Sequence, residues 1–323
     1  MPEIDNAKLK EIYTTMVRIR AFEERAIAEY RKGLPGFIHS SVGQEAIPAA
    51  VCAFLRADDY IISTHRGHAD IIAKGARLDK MMAELFAKET GYCKGKGGSM
   101  HIAAVDLNIL GATGVVGDGI PIASGAALGC KMQQLDRVVV AFFGDGAMNT
   151  GAFHEGVGLA ASWDLPVVFV CSNNMYAMST PMKNYTKLKD LSERAKAYGI
   201  PGVTVDGNDA MAIAEVASQA IESARNGRGP TLIVGNTYRH YGHHMGDPGT
   251  SYRTKEEAEE WKKRDPIVRL RAQLLQKKVL TESELQEIQA AAEKEIDEAV
   301  KFAIESPEPR VEEALEDIYY TVG

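Results

Sequence analysis

A chain of 323 residues, 45% hydrophobic and 25% charged, can bury a large core and has the composition of an ordinary soluble globular protein. Its 37 basic residues against 44 acidic ones leave a net charge of -7, which argues against nucleic acid as a main partner because counterion-releasing contacts need a basic face. No apolar run reaches transmembrane length, the start (Met1-Pro2-Glu3-Ile4-Asp5) is neither a secretory segment nor an Arg-rich transit peptide, and Cys52, Cys93, Cys130 and Cys171 form no Cys-x-x-Cys pair; a cytoplasmic protein with reduced thiols is expected.

From Asn6 to about Lys32, Leu9, Ile12, Met16, Ile19, Phe22 and Ile27 recur at near-helical spacing, predicting an amphipathic helix that Gly33-Leu34-Pro35-Gly36 ends. Between Phe37 and Asn236 short apolar runs alternate with helix-like stretches. Tyr60–Ser63, Val138–Phe143, Val167–Cys171, Val203–Val205 and Thr231–Val234 are the candidate strands. Such alternation predicts an α/β fold with a doubly wound, mostly parallel sheet. Gly91 to Gly119 reads as one long irregular loop, with Gly95, Gly97, Gly98, Gly111, Gly114 and Gly117 inside it. Gly95-Lys96-Gly97-Gly98 lacks the Gly-Lys-Ser/Thr ending of a phosphate loop, and Gly111, Gly114 and Gly117 lack dinucleotide-fingerprint spacing. Composition alone fits a packing turn as well as a ligand loop. Ile120 to Met132 predicts a helix whose Ala123, Ser124, Gly125, Ala126, Ala127 and Gly129 permit close backbone approach, including tight packing on the chain's own sheet. Thr237 to Thr254 is a second irregular stretch. A helical tail follows from Lys255, broken at Asp265-Pro266 and resuming through Ile304, with charged faces that read as solvated surface. The expected division is residues 1–36 as a helical arm, 37–254 as the α/β domain and 255–323 as the tail.

Gly144-Asp145-Gly146 follows one apolar run and Asn173-Asn174 follows the next, with a helix-like stretch from Asn149 to Ser162 between them. A strand–helix–strand crossover makes the two strands parallel, so Asp145 and Asn174 arrive at the same sheet edge, where open α/β sheets bind ligands. A carboxylate and an amide oxygen suit a hard cation, and Mg²⁺ keeps places for phosphate oxygens and water. A magnesium-bridged diphosphate site is expected, with Gly146 and Ala147 donating backbone N–H groups at the start of the next helix. Arg66, just past a candidate strand, has the donor fork to grip a phosphate, although a solvated arginine is the commoner case. The second irregular stretch holds Arg239, His240, Tyr241, His243 and His244. His-x-x-His-His without the carboxylate and helix context of zinc motifs suits proton transfer better than a metal site. A lone His39 is on residue type alone more often a core residue.

Asp145 and Asn174 stand with 28 residues between them, a spacing that resembles the thiamine-diphosphate motif. The runs Gly144 to Gly151, Lys94 to His101 and Asp247 to Thr254 are similar to alpha subunits of the first component of 2-oxo-acid and acetoin dehydrogenases, and the resemblance spans about Met16 to Pro266. It implies thiamine diphosphate, tethered through Mg²⁺ to Asp145, Asn174 and the backbone carbonyl of Tyr176. It further implies Gly114 and Val116 on the aminopyrimidine ring, and His65, Arg66, Gly146, Ala147 and Arg239 at the cofactor. His243 corresponds to the active-site histidine of the loop over the cofactor, and His39 to a histidine near the substrate carbonyl. His65 stands where pyruvate-type members have tyrosine, and Ser63-Thr64-His65-Arg66-Gly67-His68 looks more like acetoin dehydrogenases. Asp247 to Thr254 leans towards pyruvate, so acetoin ranks first, pyruvate second and branched-chain 2-oxo acids third. His244 replaces a regulated serine of mitochondrial pyruvate-type members, whereas Ser251 matches a second regulated position. The family's ylid-forming glutamate sits on a further domain that this chain lacks, which implies a beta subunit in an α₂β₂ heterotetramer. The two-carbon unit would pass to the lipoyl domain of a dihydrolipoyl acyltransferase. Two other classes stay open: a non-catalytic Mg²⁺-diphosphate scaffold subunit, and a Mg²⁺-dependent phosphohydrolase, which usually clusters more carboxylates than one.

Overall fold

The computed structural model describes residues 4–317; Met1, Pro2 and Glu3 of the acidic start lie outside the described residues. In chain order, helices α1 (Asn6–Arg31) and α2 (Ala46–Cys52) precede strand β1 (Tyr60–Thr64), helices α3 (His68–Ala73) and α4 (Leu78–Leu85), and strand β2 (Ile109–Thr113). The central unit is α5 (Gly119–Met132), β3 (Val139–Gly144), α6 (Gly151–Ser162) and β4 (Val167–Asn173). A small hairpin, β5 (Tyr176–Ala177) with β6 (Thr180–Pro181), leads into the single turn α7 (Met182–Tyr185). Then come β7 (Gly202–Asp206), α8 (Ala210–Arg225), β8 (Thr231–Asn236), α9 (Lys255–Lys262), α10 (Pro266–Gln276) and α11 (Glu282–Glu305).

The main sheet is six-stranded and parallel, in the order β2-β1-β3-β4-β8-β7. Side chains on a strand point alternately to its two faces, and here that alternation divides the core. Val140, Phe142, Val168, Val170 and Ile233 face one apolar cluster, which they share with α1, α2, α4, α8, α10 and α11. Val139, Ala141, Phe143, Val167, Phe169, Leu232 and Val234 face the other, packed by α5 and α6. Both faces being covered explains why the strands read as unbroken apolar runs rather than alternating ones.

Local signals set the helix ends. Asp5 caps α1 by accepting from the Lys8 N–H at 2.7 Å. Asp265 caps α10 with Pro266 at its first turn, and Thr281 with Glu284 forms a capping box on α11. The expected long loop from Gly91 to Gly119 is corrected in part: residues 109–113 form β2, paired with β1 on the sheet edge. Gly111 and the shortness of the run hid that strand, because an edge strand lacks the long apolar signature of its buried neighbours. The rest of that stretch is irregular apart from two 3-10 turns, Gly98–Met100 and Val105–Leu107, and residues 237–254 are irregular. All four cysteines are free, and no helix among the described residues is long and apolar enough to cross a membrane.

Candidate cofactor and active site

The strand order reverses between β1 and β3, since the chain runs from β1 outwards to β2 and then returns to the other side of β1. Ligands of open α/β sheets bind where the connections diverge in this way, outside the carboxyl ends of the strands. A cavity of about 460 Å³ lies there, lined by the residues that follow β1 (Thr64 to Arg66), β2 (Gly114 to Gly117), β3 (Asp145 to Ala147) and β4 (Asn174, Tyr176), with Arg239 and His243 from beyond β8. The cavity is of ordinary ligand-site size. It collects all twelve residues expected from the sequence: His39, His65, Arg66, Gly114, Val116, Asp145, Gly146, Ala147, Asn174, Tyr176, Arg239 and His243.

At the ends of β3 and β4, where a cation is expected, Asp145 is 1% exposed and Asn174 is 7% exposed. Burial pushes the Asp145 carboxyl up, because a carboxylate out of water needs a partner. The partner here is Tyr185, whose hydroxyl donates to Asp145 Oδ2 from the end of α7. The Tyr176 carbonyl accepts from Arg239 Nη1 at 3.2 Å. Gly146 must be glycine, since a Cβ there would lie 2.9 Å from the Ala177 Cβ. Gly117, at φ +94°, brings the glycine-rich loop so close to α6 that a Cβ would lie 2.5 Å from Thr150 Oγ1.

At the opposite end three histidines converge. Their ring centroids lie 4.8 Å apart for His39 and His65, 4.9 Å for His39 and His243, and 5.5 Å for His65 and His243. Burial first, and then the Arg66 charge, lower His39 to about 2, His65 to about 3 and His243 to about 4, so all three are neutral at pH 7. Arg66 donates to the Ser40 carbonyl at 2.6 Å and to the His243 carbonyl at 2.8 Å, tying the His39 segment to the loop that carries His243. Its Nη2 also lies 3.4 Å from His243 Nδ1. A guanidinium can only donate, so Nδ1 is the acceptor and Nε2 carries the proton. The three rings have ligand atoms within 4.8 Å of one another, but a metal-bound histidine turns its second nitrogen towards an acceptor, and His243 turns it towards a donor. His243 therefore carries an N–H on Nε2 rather than a free ligand atom there.

The loop behind His243 is held by Asp247, which accepts from the His243 N–H at 2.7 Å, the Gly249 N–H at 2.7 Å and the Tyr252 hydroxyl at 2.5 Å. Tyr252 accepts from Arg239 Nη2 at 2.8 Å, so the loop and the cation end share one network. Sequence reasoning missed three contributors: Gln44, which binds Asn174; Tyr185, which binds Asp145; and Glu23, which takes both the Ser41 N–H and hydroxyl at 3.1 and 2.7 Å. Only Gln44 had a local cue, its place after Gly43, which adopts φ +94°.

The whole constellation matches a described family. The model of the dehydrogenase E1 component matches residues 13–312. The chain belongs to the dehydrogenase E1 component family. Its similarity to characterised E1 chains extends over nearly the whole length. It is 49% identical over 310 residues to the alpha subunit of acetoin:2,6-dichlorophenolindophenol oxidoreductase from Bacillus subtilis (strain 168), covering 95% of this chain and 92% of that one. It is 41% identical over 318 residues to the alpha subunit of the same name from Cupriavidus necator, covering 98% and 95%. It is also 40% identical over 314 residues to the pyruvate dehydrogenase E1 component subunit alpha of Porphyra purpurea, covering 95% and 91%. The chain is an alpha-type E1 oxidoreductase chain, and E1 membership implies thiamine diphosphate.

The cavity fits that cofactor. It joins a buried carboxylate and amide, suited to a cation, with two arginines suited to a diphosphate. Three buried polar atoms on its wall have no protein partner: His39 Nδ1, Gln44 Nε2 and Arg239 Nε. Buried polar atoms without partners are rare, and in a cavity they indicate a ligand that supplies them.

Proposed function

We propose that this chain is the alpha subunit of an acetoin-cleaving E1 enzyme that uses thiamine diphosphate with Mg²⁺ and works with a beta subunit in the cytoplasm. The observation that carries the reading is one cavity with a cation-type pair, Asp145 and Asn174, at one end and three neutral histidines at the other. Asp145, Asn174 and the Tyr176 carbonyl would hold Mg²⁺. Arg66, Arg239 and the backbone N–H groups of Gly146 and Ala147 would neutralise the diphosphate, and the backbone at Gly114 and Val116 would seat the pyrimidine. Thiamine diphosphate, when bound, supplies the nucleophile and electron sink. This chain supplies orientation and protons. His243 lines the cavity with its ring proton on Nε2, and His39 adds a buried imidazole 4.9 Å away, ring centre to ring centre. Both stay neutral over the working pH range, which suits donation to a carbonyl oxygen without adding charge.

Acetoin, which is neutral, is ranked before pyruvate because the histidine end presents three neutral rings and the Arg66 guanidinium there gives hydrogen bonds to Ser40 and His243. The 49% identity to an acetoin-type alpha subunit, against 40% to a pyruvate-type one, supports the same order. Pyruvate is the second reading, favoured by the long match to pyruvate-type chains. Among the described residues there is one parallel sheet, and the acidic side chains lining the cavity are Asp70 and Asp145. A carboxylate able to reach the pyrimidine is therefore assigned to the beta subunit, and the two-carbon product to the lipoyl arm of an acyltransferase. The test is dye-coupled turnover of acetoin and pyruvate, side by side, by the chain alone and with its beta partner. Acetoin turnover by the pair only is expected. Pyruvate turnover without acetoin turnover would reverse the substrate assignment, and full activity of the single chain would remove the partner.

A further inference from the structure

Gln44 sits in the turn between α1 and α2 and is 4% exposed. Its backbone is fixed: the Gln44 N–H donates to Ser41 O at 2.9 Å, and the Gly43 carbonyl accepts from Thr237 Oγ1 at 3.1 Å. Glu45 accepts from the Gly43 N–H through both oxygens, at 3.1 and 3.0 Å, and is itself paired with Arg20 at 2.5 Å. A side chain on so rigid a turn has little freedom left to lose. Gln44 Oε1 accepts from Asn174 Nδ2 at 3.2 Å, and Gln44 Nε2, buried on the cavity wall, has no protein partner.

Amide polarity links these facts. An amide binds a cation through oxygen only, so Asn174 must present Oδ1 to the cation and send Nδ2 elsewhere. The acceptor it meets is Gln44 Oε1. Gln44 then necessarily turns Nε2 away from Asn174, and a buried NH₂ group without an acceptor is costly. Flipping both amides together would satisfy their mutual bond equally well but would show NH₂ to the cation. The Tyr176 N–H, which donates to Asn174 Oδ1 at 3.4 Å, favours the productive polarity, and an acceptor on the cavity side of Gln44 would reinforce it by taking up Nε2.

We propose that Gln44 is the positioning residue that orients Asn174 towards the cation, and that its Nε2 donates to an oxygen of the diphosphate. The assignment rests on the thiamine-diphosphate reading above. Cation and diphosphate then reinforce one another through two neutral side chains: a bound diphosphate oxygen pins Gln44, Gln44 pins Asn174, and Asn174 receives the cation.

The test measures binding rather than turnover, on the full chain assembled with its beta subunit. Mn²⁺ serves as the spectroscopically visible cation, and thiamine diphosphate is titrated separately by protein fluorescence. Gln44→Leu, checked for an unchanged thermal melt, is expected to weaken Mn²⁺ about ten-fold in the presence of cofactor, the size expected for loss of one hydrogen bond to a charged group. The same change in an Asn174→Ala background is expected to have no further effect on Mn²⁺. Gln44→Glu keeps the acceptor for Asn174 but replaces the donor with a charge, so Mn²⁺ binding is expected to persist while thiamine diphosphate weakens at least about ten-fold. Unchanged Mn²⁺ affinity in Gln44→Leu, or an equal loss in both backgrounds, would overturn the positioning role. Wild-type cofactor affinity in Gln44→Glu would overturn the diphosphate contact. Failure of the wild-type assembly to bind either ligand would instead remove the cofactor reading, and this proposal with it.

Discussion

Asp145 carries a tension between burial and charge that Tyr185 relieves. The carboxylate is almost fully buried and accepts from the Tyr185 hydroxyl. A cation that took Asp145 Oδ2 would compete with that hydroxyl. Tyr185→Phe should therefore tighten Mn²⁺ binding, by about two- to ten-fold if the lost bond contributes the usual 0.5–1.5 kcal/mol. Equal or weaker Mn²⁺ affinity in a direct titration would make Tyr185 a helper instead of a competitor. His243 has a different role. Its tautomer is set by Arg66 and its loop by Asp247, and its ring makes no hydrogen bond to Asp145, Asn174 or Tyr176. His243→Ala should lower turnover by about 10² or more, the usual range for a positioned acid–base group, while the cofactor dissociation constant changes little. Stopped-flow turnover and a binding titration, run on the same preparation, separate the two. Parallel loss of both would assign His243 to cofactor binding.

At the scale of elements, the site depends on loops held against rigid strand ends. The glycine-rich stretch approaches the start of α6 at Gly117, where φ is +94° and Thr150 Oγ1 fills the space a Cβ would need. Thr150 is itself the cap of α6, accepting from the Phe153 N–H at 3.2 Å. Gly117→Ala should thus strain the loop and disturb the cap at once. A loss of about 1–3 kcal/mol is expected from the backbone conformation alone, read from urea midpoints. A stability within error of the wild type would mean that the loop moves away from α6 freely. The strands that end at the site were legible because each is buried on both faces and reads as an apolar run. β2 escaped because it is a short edge strand inside a glycine-rich stretch. The brief helices α2, α3 and α4 also gave no sustained period, being only six to eight residues long.

For the molecule as a whole, burying neutral imidazoles has a consequence for pH. His39 is 8% exposed and lowered to about 2, against about 6.5 in an unfolded chain. Below pH 6.5 the unfolded state binds a proton that the folded state refuses, so folded stability falls as the pH falls. The slope is at most about 1.4 kcal/mol per pH unit for each such histidine. Asp70 acts in the opposite sense between pH 3.8 and 7, since burial raises its folded value to about 7. The two are separated by comparing the wild type with His39→Gln: the wild type should lose stability relative to the variant from pH 6.5 down to pH 4.5. A constant difference in denaturation midpoint across that range would mean that His39 takes up its proton in the folded state.

Much of this protein could be read along the chain. Asp145, Asn174 and Arg66 were identifiable because strand ends carry ligand chemistry and are marked by apolar runs, whereas His39 and His243 were singled out by the family resemblance. The parallel sheet followed from the alternation of strands and helices, and the cation-type pair from one crossover between them. What no linear pattern contains is the partner of each polar atom. Gln44 lies 130 residues from the asparagine it binds, Tyr185 lies 40 from its aspartate, and Arg66 lies 177 from the histidine whose tautomer it sets. Hydrogen-bond polarity and burial arise only when such distant segments are packed together, and they decide which way an amide faces and which nitrogen holds the proton. The sequence determined which groups reach the cavity; the tertiary structure alone decided their orientation.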